Sequence, residues 1–202
     1  MLFYSAMNTA LLLPLIGFAF VSSITPGPNN LMILASGLNY GLRRSLPHML
    51  GIGIGFMFML FLVGYGLAEL FERFPVLDII LKVSATLYMI WLAWRIANAG
   101  SPKAAAAGAR PMSFLEACAF QWVNPKAWAM ALTAMTVYAP EKTLLEIGIV
   151  TLVFGIVNIP CVGCWAILGQ EMRRFLQSPR ALRLFNWSMA ILLIASLYPI
   201  LA

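Results

Sequence analysis

Two proline-containing motifs place polar groups inside otherwise uncharged sequence. The first runs from Thr25 to Asn30 and reads Thr-Pro-Gly-Pro-Asn-Asn, and the second runs from Asn124 to Ala127 and reads Asn-Pro-Lys-Ala. Proline lacks a backbone donor and clashes with the preceding turn, so neither motif can continue a regular helix. Each has the form of a helix start, in which a capping residue, Thr25 or Asn124, precedes proline at the first helical position, Pro26 or Pro125. Each motif therefore predicts a helix that is broken and begins again.

A helix that begins inside a membrane offers groups that suit an amino acid zwitterion. Its unpaired N–H groups and about half a positive charge attract a carboxylate. The carbonyls released around Val21 to Ser23 and Gln121 to Val123 are acceptors for an ammonium group. Proline kinks also occur in helices that bind nothing, but two such breaks with adjacent asparagines favour a site. The predicted substrate-binding residues are Pro26, Gly27, Pro28, Asn29, Asn30, Gln121, Asn124, Pro125 and Lys126.

Ionisable residues inside the apolar stretches are further candidates. A lysine at the centre of a span costs roughly 2.5 to 3.5 kcal/mol, so Lys126 should face a cavity or a partner. There it would hold the carboxylate of the substrate or compete with it, unless it pairs structurally. His48 and Glu116, near the cytoplasmic ends of two spans, are weaker candidates for carrying a coupling proton, because both residue types also mark interfaces. Asn158 is a weaker candidate for lining the pathway.

The composition places both motifs in a membrane protein. The chain is 62% hydrophobic and 10% charged, whereas soluble domains are about half apolar and a quarter charged. A span needs about 20 residues to cross ~30 Å of hydrocarbon, so six spans nearly exhaust the 202 residues and leave no room for a soluble catalytic domain. The predicted spans lie within residues 8–40, then at Pro47–Leu67, Leu77–Ala97, Phe114–Tyr138, Leu144–Gly169, and from Leu184 to the end.

The positive charges predict the orientation of the spans. Nine of the 13 basic residues lie in or beside the first, third and fifth loops, and positive charge stays on the cytoplasmic side. This distribution explains the net charge of +6 without nucleic acid as a partner. The N-terminal stretch lacks the features of a cleaved signal. The sequence thus predicts a multi-pass protein with a retained first span and both termini on the periplasmic side.

Residues 98–113 form the one segment that resembles a flexible connection. They predict a cytoplasmic linker between a first three-helix repeat, residues 1–97, and a second, residues 114–202. Because a three-span unit begins and ends on opposite sides of the membrane, the second repeat must be inverted, as is common in secondary transporters. The predicted fold is an all-α integral membrane protein of six transmembrane helices, in two inverted three-helix repeats with proline-broken first and fourth helices.

A weak internal repeat supports this division. Pro28 and Pro125 are 97 residues apart, and Gly51 and Gly148 have the same separation. Both matches fall on the first two spans of each half.

The pair Cys161 and Cys164 supports an alternative function, that of a membrane-embedded thiol oxidoreductase. The pair falls in the cytoplasmic, reducing half of the fifth span, and the one further cysteine, Cys118, cannot form the second pair that an electron relay requires. Buried, unreactive cysteines are therefore the favoured interpretation. A passive channel is a third possibility, which transport without energy dependence would reveal. No cofactor or metal site is predicted.

The two proline motifs, together with Gly41-Leu42-Arg43-Arg44, resemble the hallmarks of the lysine-exporter superfamily. Similarity extends to Trp91–Arg95 and to Cys164–Ala166. The resemblance implies an amino acid efflux protein of the bacterial inner membrane, driven by proton antiport. Its partners would be a small amino acid, protons and the lipid bilayer, and a homodimer remains open.

Within that superfamily the chain is closer to the branches that export homoserine, threonine, or cysteine and O-acetylserine. The basic amino acid branch tends to carry an acid in the second span, whereas this sequence has no Asp or Glu between Arg43 and Ala68. A cationic side chain needs a negative partner in a low-dielectric site. We therefore expect the substrate to be a small neutral amino acid.

Overall fold

The computed structural model describes residues 9–67, 69, 73–74, 76–99, 110–176 and 178–198. The central part of the predicted linker, residues 100–109, and the outer ends of the first and sixth predicted spans lie outside the described residues. The regular elements of the described residues are all helical. They are α1 Thr9–Ile24, α2 Pro28–Tyr40, α3 Leu42–Leu62, α4 Val76–Ala97, α5 Phe114–Phe120, α6 Pro125–Tyr138, α7 Leu144–Met172 and α8 Pro179–Ala195, with a π-helical turn at Val63–Leu67 and a 3₁₀ turn at Gln121–Val123.

Among the described residues, three helical stretches are long and apolar enough to cross a membrane: Leu42–Leu67, Ile79–Ala97 and Leu144–Met172. The helices Leu11–Ile24 and Pro28–Tyr40 pass the same criteria as a pair that is bent by 54°. The prediction of an all-helical, membrane-spanning protein is confirmed at this level. The helices extend past some predicted limits, since hydropathy marks the apolar part of a helix and not its polar ends.

The first bend follows from the backbone chemistry of Thr25 to Gly27. Pro26 has no N–H group to donate, and Gly27 is fully extended, with φ 179° and ψ 177°. Helix α2 then begins at Pro28, in the first helical position. The chain therefore leaves one helix axis and starts another within three residues.

A related arrangement occurs between α5 and α6. The chain passes through the 3₁₀ turn to Asn124, which is extended, and Pro125 begins α6. The Asn124 Oδ1 accepts a hydrogen bond of 3.1 Å from the Lys126 backbone N–H, as expected of an N-cap residue. Pro28 and Pro125, 97 residues apart, thus occupy the same position in their helices. Gly51 and Gly148 are less alike, because Gly51 lies against the backbone of Phe114 whereas Gly148 faces open space.

Helix α7 is the central packing element, in contact with α1, α2 and α3, and α8 packs on α4 and α2. The crossing of α7 with α2 depends on two glycines. A methyl group on Gly37 would overlap the carbonyl oxygen of Ala166, and one on Gly169 would overlap that of Leu34. Small residues at helix crossings allow such close backbone contact in membranes. This crossing fixes α2, and hence its N-terminus, against α7.

We expect Gly37→Ala to destabilise the protein by about 1 to 3 kcal/mol, the usual cost of overpacking, because a backbone carbonyl cannot move aside as a side chain can. Thermal unfolding in detergent would measure the change. The matched control is Gly148→Ala, where a methyl group meets no atom within 4 Å and the higher helix propensity of alanine acts alone. Equal melting temperatures for the two variants would show that the crossing is not tightly packed.

Candidate functional site

A cavity of about 310 Å³ lies where the α1–α2 bend faces the start of α6. We call it the central cavity. Of the predicted site residues, Gly27, Asn29, Asn30, Asn124 and Lys126 line it. The other residues that line it are Ser22, Ser23, Phe56, Ala127, Met130 and Asn158. The remaining predicted residues are not among those that line it: Pro26, Pro28, Gln121 and Pro125.

The side chain of Lys126 crosses from the second half of the chain to the end of α1. Its Nζ donates hydrogen bonds to the Thr25 carbonyl oxygen (2.8 Å), the Thr25 Oγ1 (2.9 Å) and the Pro26 carbonyl oxygen (3.3 Å). Its stem lies over Gly27, where a Cβ atom would come within 2.6 Å of the lysine Cδ. The ammonium group therefore sits at the negative end of the α1 dipole. Among the described residues it has no carboxylate partner.

Asn30 holds the unwound end of α1 in place. Its Nδ2 donates to the carbonyl oxygens of Ser23 (2.8 Å) and Thr25 (2.7 Å), and the residue is 3% exposed. The adjacent carbonyl of Ile24 accepts a bond of 3.0 Å from Trp165 Nε1. Because these are side-chain donors from later in the sequence, the bend is a defined structure with its carbonyls paired.

The carbonyls of Val21 to Ser23, which the sequence suggested as ammonium acceptors, are already engaged by the chain. The Val21 carbonyl accepts from the Thr25 backbone N–H, the Ser22 carbonyl from the Thr25 hydroxyl, and the Ser23 carbonyl from Asn30. The acceptors that hold an ammonium group in this structure lie further along the chain, at Thr25 and Pro26.

A reciprocal amide pair joins the two halves of the chain beside the central cavity. The Asn29 Nδ2 donates to Gln121 Oε1 at 2.8 Å, and the Gln121 Nε2 donates to Asn29 Oδ1 at 3.1 Å and to the Ala117 carbonyl at 2.9 Å. Gln121 is fully buried. Its role in this structure is to hold Asn29 in place, since it does not line the cavity.

Asn158 of α7 supplies the part of the cavity that the sequence indicated only weakly. Its Nδ2 donates to the Ser23 Oγ at 3.0 Å, while its Oδ1 is buried and has no hydrogen-bond partner among the described residues. A buried acceptor without a partner is costly, so it is available to a ligand donor. No local pattern predicts that Asn158 and Ser23 meet, because they are 135 residues apart in the chain.

Glu116 and the cysteines have no contact with the central cavity. Glu116 caps α5, where its carboxylate accepts a hydrogen bond of 2.7 Å from the Ser113 backbone N–H. It also accepts hydrogen bonds of 2.7 and 2.8 Å from two guanidinium nitrogens of Arg110. Cys161 is buried and Cys164 exposed, and neither is in a disulfide. Among the described residues, no three His, Cys, Asp or Glu side chains form a group able to hold a metal ion. His48 lines a different cavity, described below.

Comparison with known proteins agrees with the motifs. The family model described as LysE type translocator matches residues 20–196. The chain is 30% identical over 194 residues to a cysteine/O-acetylserine efflux protein of Klebsiella pneumoniae, which covers 93% of this chain and 95% of that protein. It is 31% identical over 183 residues to a protein of the same name from Escherichia coli, covering 88% of this chain and 90% of that one. No solved structure matches the chain. The predicted resemblance to the lysine-exporter superfamily is confirmed.

Proposed function

The chain belongs to the LysE type translocator family, and we propose that it is a secondary transporter that exports a small neutral amino acid by proton antiport. Membership of a translocator family makes the protein a multi-pass membrane transporter and not an enzyme. The alternative of a thiol oxidoreductase is therefore dropped. The names of the two relatives support amino acid efflux as the activity.

The observation that carries the proposal is the position of the Lys126 ammonium group. It occupies three oxygen acceptors at the broken end of α1, which are the groups that an amino acid's α-ammonium requires. The adjacent N-terminus of α2 has no side-chain cap, whereas that of α6 is capped by Asn124. The first N–H groups of α2 are thus the better seat for the carboxylate. A zwitterion placed here would satisfy both ends of the broken helix.

Competition for these acceptors provides a coupling mechanism. Two ammonium groups cannot share them, because like charges a few ångströms apart repel strongly in a low dielectric. When the substrate binds from the cytoplasm, its ammonium displaces that of Lys126. The displaced lysine releases its proton to the cytoplasm, since an unpaired cation is costly inside a membrane.

The reverse exchange completes the cycle on the periplasmic side. As the substrate leaves, the neutral Lys126 amine takes up a periplasmic proton and returns to the Thr25 and Pro26 oxygens. One proton enters for each zwitterion that leaves, so one positive charge moves inward per cycle. A membrane potential would then contribute about 2.3 kcal/mol per 100 mV.

The lining of the central cavity favours a small, uncharged side chain. Little enclosed space remains among its lining residues. No carboxylate is among its lining residues, so lysine or arginine would be bound without a counter-charge. The unpaired Asn158 Oδ1 suits a hydroxyl or thiol donor, as in threonine, homoserine or cysteine. The names of the relatives favour the cysteine and O-acetylserine pair.

The proposed architecture is that of six spans in two inverted repeats, residues 1–97 and 114–202, with residues 98–113 as a cytoplasmic linker. The equivalent positions of Pro28 and Pro125 support the repeat. Both termini would face the periplasm, and the protein would lie in the bacterial inner membrane.

Uptake into everted membrane vesicles tests the function, because their outer surface is the cytoplasmic face. We expect at least one of cysteine, O-acetylserine, threonine and homoserine to accumulate when the vesicle interior is acidic, and lysine not to accumulate. Equilibration without accumulation would indicate a passive channel. If correctly inserted protein transports no member of the panel, or transports lysine, the proposal is wrong.

Asn158 provides a test of side-chain recognition. We expect Asn158→Val to raise the half-saturating concentration of cysteine about twofold to tenfold, the value of one neutral hydrogen bond. The half-saturating concentration of 2-aminobutyrate, in which a methyl group replaces the thiol, should be unchanged in this variant. The control Ser23→Ala removes the other hydrogen bond of Asn158 but leaves its Oδ1 in place. Equal effects of Asn158→Val on the two amino acids would contradict the assignment.

A further inference from the structure

A second cavity, of about 420 Å³, lies at the C-terminal end of α2. Its walls come from the last three turns of α2, His48 of α3, the end of α4 and residues 110–112 before α5. These segments flank the first and third loops, so in the proposed topology the cavity is on the cytoplasmic side. We call it the cytoplasmic cavity.

His48 is a buried, unsatisfied polar group in the wall of this cavity. It is 2% exposed, and neither ring nitrogen has a hydrogen-bond partner among the described residues. A neutral imidazole has one donor and one acceptor, and leaving both unpaired in a protein interior is costly. Because the side chain borders the cavity, a ligand there can supply the missing partner.

Arg95 supplies a positive charge at the same cavity. Arg110, which also lines it, is held by both oxygens of Glu116. Arg95 has no carboxylate partner among the described residues; it lies over the ring of Trp91 at 4.9 Å and donates one bond of 3.3 Å to the Arg110 carbonyl. Most of its five N–H donors therefore remain for an anion, and the planar guanidinium fits a carboxylate.

One face of α2 connects the two cavities. Asn29 lines the central cavity, and Met32, Ser36 and Asn39 line the cytoplasmic cavity. Their spacing of three or four residues places all four side chains on one face of the helix. Asn29 and Ser36 are about 10 Å apart along the axis, at 1.5 Å per residue. A ligand beside Ser36 is therefore about 10 Å along α2 from the central cavity.

We infer that the cytoplasmic cavity is a second amino acid site, in which Arg95 binds the α-carboxylate and His48 accepts a hydrogen bond from the α-ammonium. The substrate is captured there and passes along α2 to the central cavity. This inference rests on the proposed export function. It assigns His48 to substrate capture, while the coupling proton belongs to Lys126.

Sidedness distinguishes this site from the central one. In everted vesicles, Arg95→Gln should raise the half-saturating concentration of the exported amino acid about tenfold, or ~1.4 kcal/mol. In right-side-out vesicles, exchange from the periplasmic face should be unchanged. The control Arg43→Gln removes an exposed charge outside the cavity lining and should have no effect on either face. Equal changes on both faces for Arg95→Gln, or no change, would overturn the inference.

Transport of the carboxamide of the same amino acid, which lacks the carboxylate, identifies the group that Arg95 binds. If Arg95 binds the carboxylate, Arg95→Gln should weaken transport of the amino acid from the cytoplasmic face much more than transport of its carboxamide. If instead the guanidinium holds a lipid phosphate or an inorganic anion, Arg95→Gln should weaken transport of both compounds equally, and the inference fails.

His48→Leu tests the site through a residue other than Arg95, and its melting temperature separates an effect on binding from an effect on folding. An apolar side chain of similar size removes the unpaired nitrogens, so we expect a higher melting temperature together with a several-fold higher half-saturating concentration at the cytoplasmic face. A lower melting temperature with unchanged transport would make His48 a structural residue and overturn its assignment. If the wild-type protein transports no amino acid, the proposed function and this inference fall together, whereas failure of the sidedness test alone leaves the function standing.

Discussion

Replacing Lys126 with glutamine should abolish proton-driven accumulation while leaving exchange of internal for external amino acid. A gradient of one pH unit supplies about 1.4 kcal/mol per proton, so one-for-one antiport sustains about tenfold accumulation. Glutamine can still donate to the Thr25 carbonyl but carries no exchangeable charge. We therefore expect the accumulation ratio in everted vesicles to fall to about one, measured with radiolabelled substrate.

Arginine at the same position separates charge from proton exchange. Its guanidinium stays protonated throughout the accessible pH range, so Lys126→Arg should block the acceptors permanently and abolish both accumulation and exchange. The control is Lys142→Gln, which breaks an exposed ion pair with Glu69, and such surface pairs contribute little to stability. Accumulation that survives in Lys126→Gln would remove this residue from the coupling mechanism.

The second large effect is expected at Asn29. Asn29→Ala removes the partner of Gln121, whose fully buried amide would then be left with an unpaired oxygen at a cost of about 1 to 3 kcal/mol. Because the pair positions the first turn of α2 beside the central cavity, we expect the transport rate to fall about tenfold or more. Membrane insertion, assayed by the yield of monodisperse protein, should be unaffected.

A double-mutant cycle tests whether Asn29 and Gln121 act together. The double variant Asn29→Ala/Gln121→Ala should lose little more than the worse single variant, as expected for residues in direct contact. Ser188→Ala is the control, since it removes an exposed hydrogen bond to the Leu184 carbonyl within α8, outside the lining of both cavities. Fully additive losses would show that Asn29 and Gln121 contribute separately.

Local chemistry made parts of this structure predictable from the sequence. Proline cannot continue a helix, so the start of α6 at Pro125, with Asn124 as its cap, follows from the motif itself. The start of α2 was placed two residues too early, at Pro26 with Thr25 as its cap, whereas Pro28 is the first helical residue and Gly27 precedes it without a side-chain cap. The start of α8 was missed by five residues. The sixth span was placed at Leu184, although Ser178 caps a helix that begins at Pro179. Ser-Pro is a helix-start signal of the same kind, and the hydropathy pattern concealed it because Arg180 and Arg183 follow.

The contacts that form the site could not be predicted in this way. Lys126 reaches Thr25 across 101 positions of the chain, and Asn158 meets Ser23 only because α7 packs against α1. Such pairs depend on how helices cross, which single-sequence periodicity does not specify. The residue types were therefore predictable, whereas the identity of the carbonyls that Lys126 occupies was not.

The number of protons released when the amino acid binds tests the central claim most directly. Calorimetric titration of the purified protein in buffers of different ionisation enthalpy gives that number at equilibrium, without vesicles or gradients. At neutral pH we predict the release of about one proton per bound amino acid by the wild-type protein, and none by Lys126→Gln, which retains the neutral site. Release of no proton by the wild-type protein, or of one by both proteins, would contradict the exchange of ammonium groups at Thr25 and Pro26.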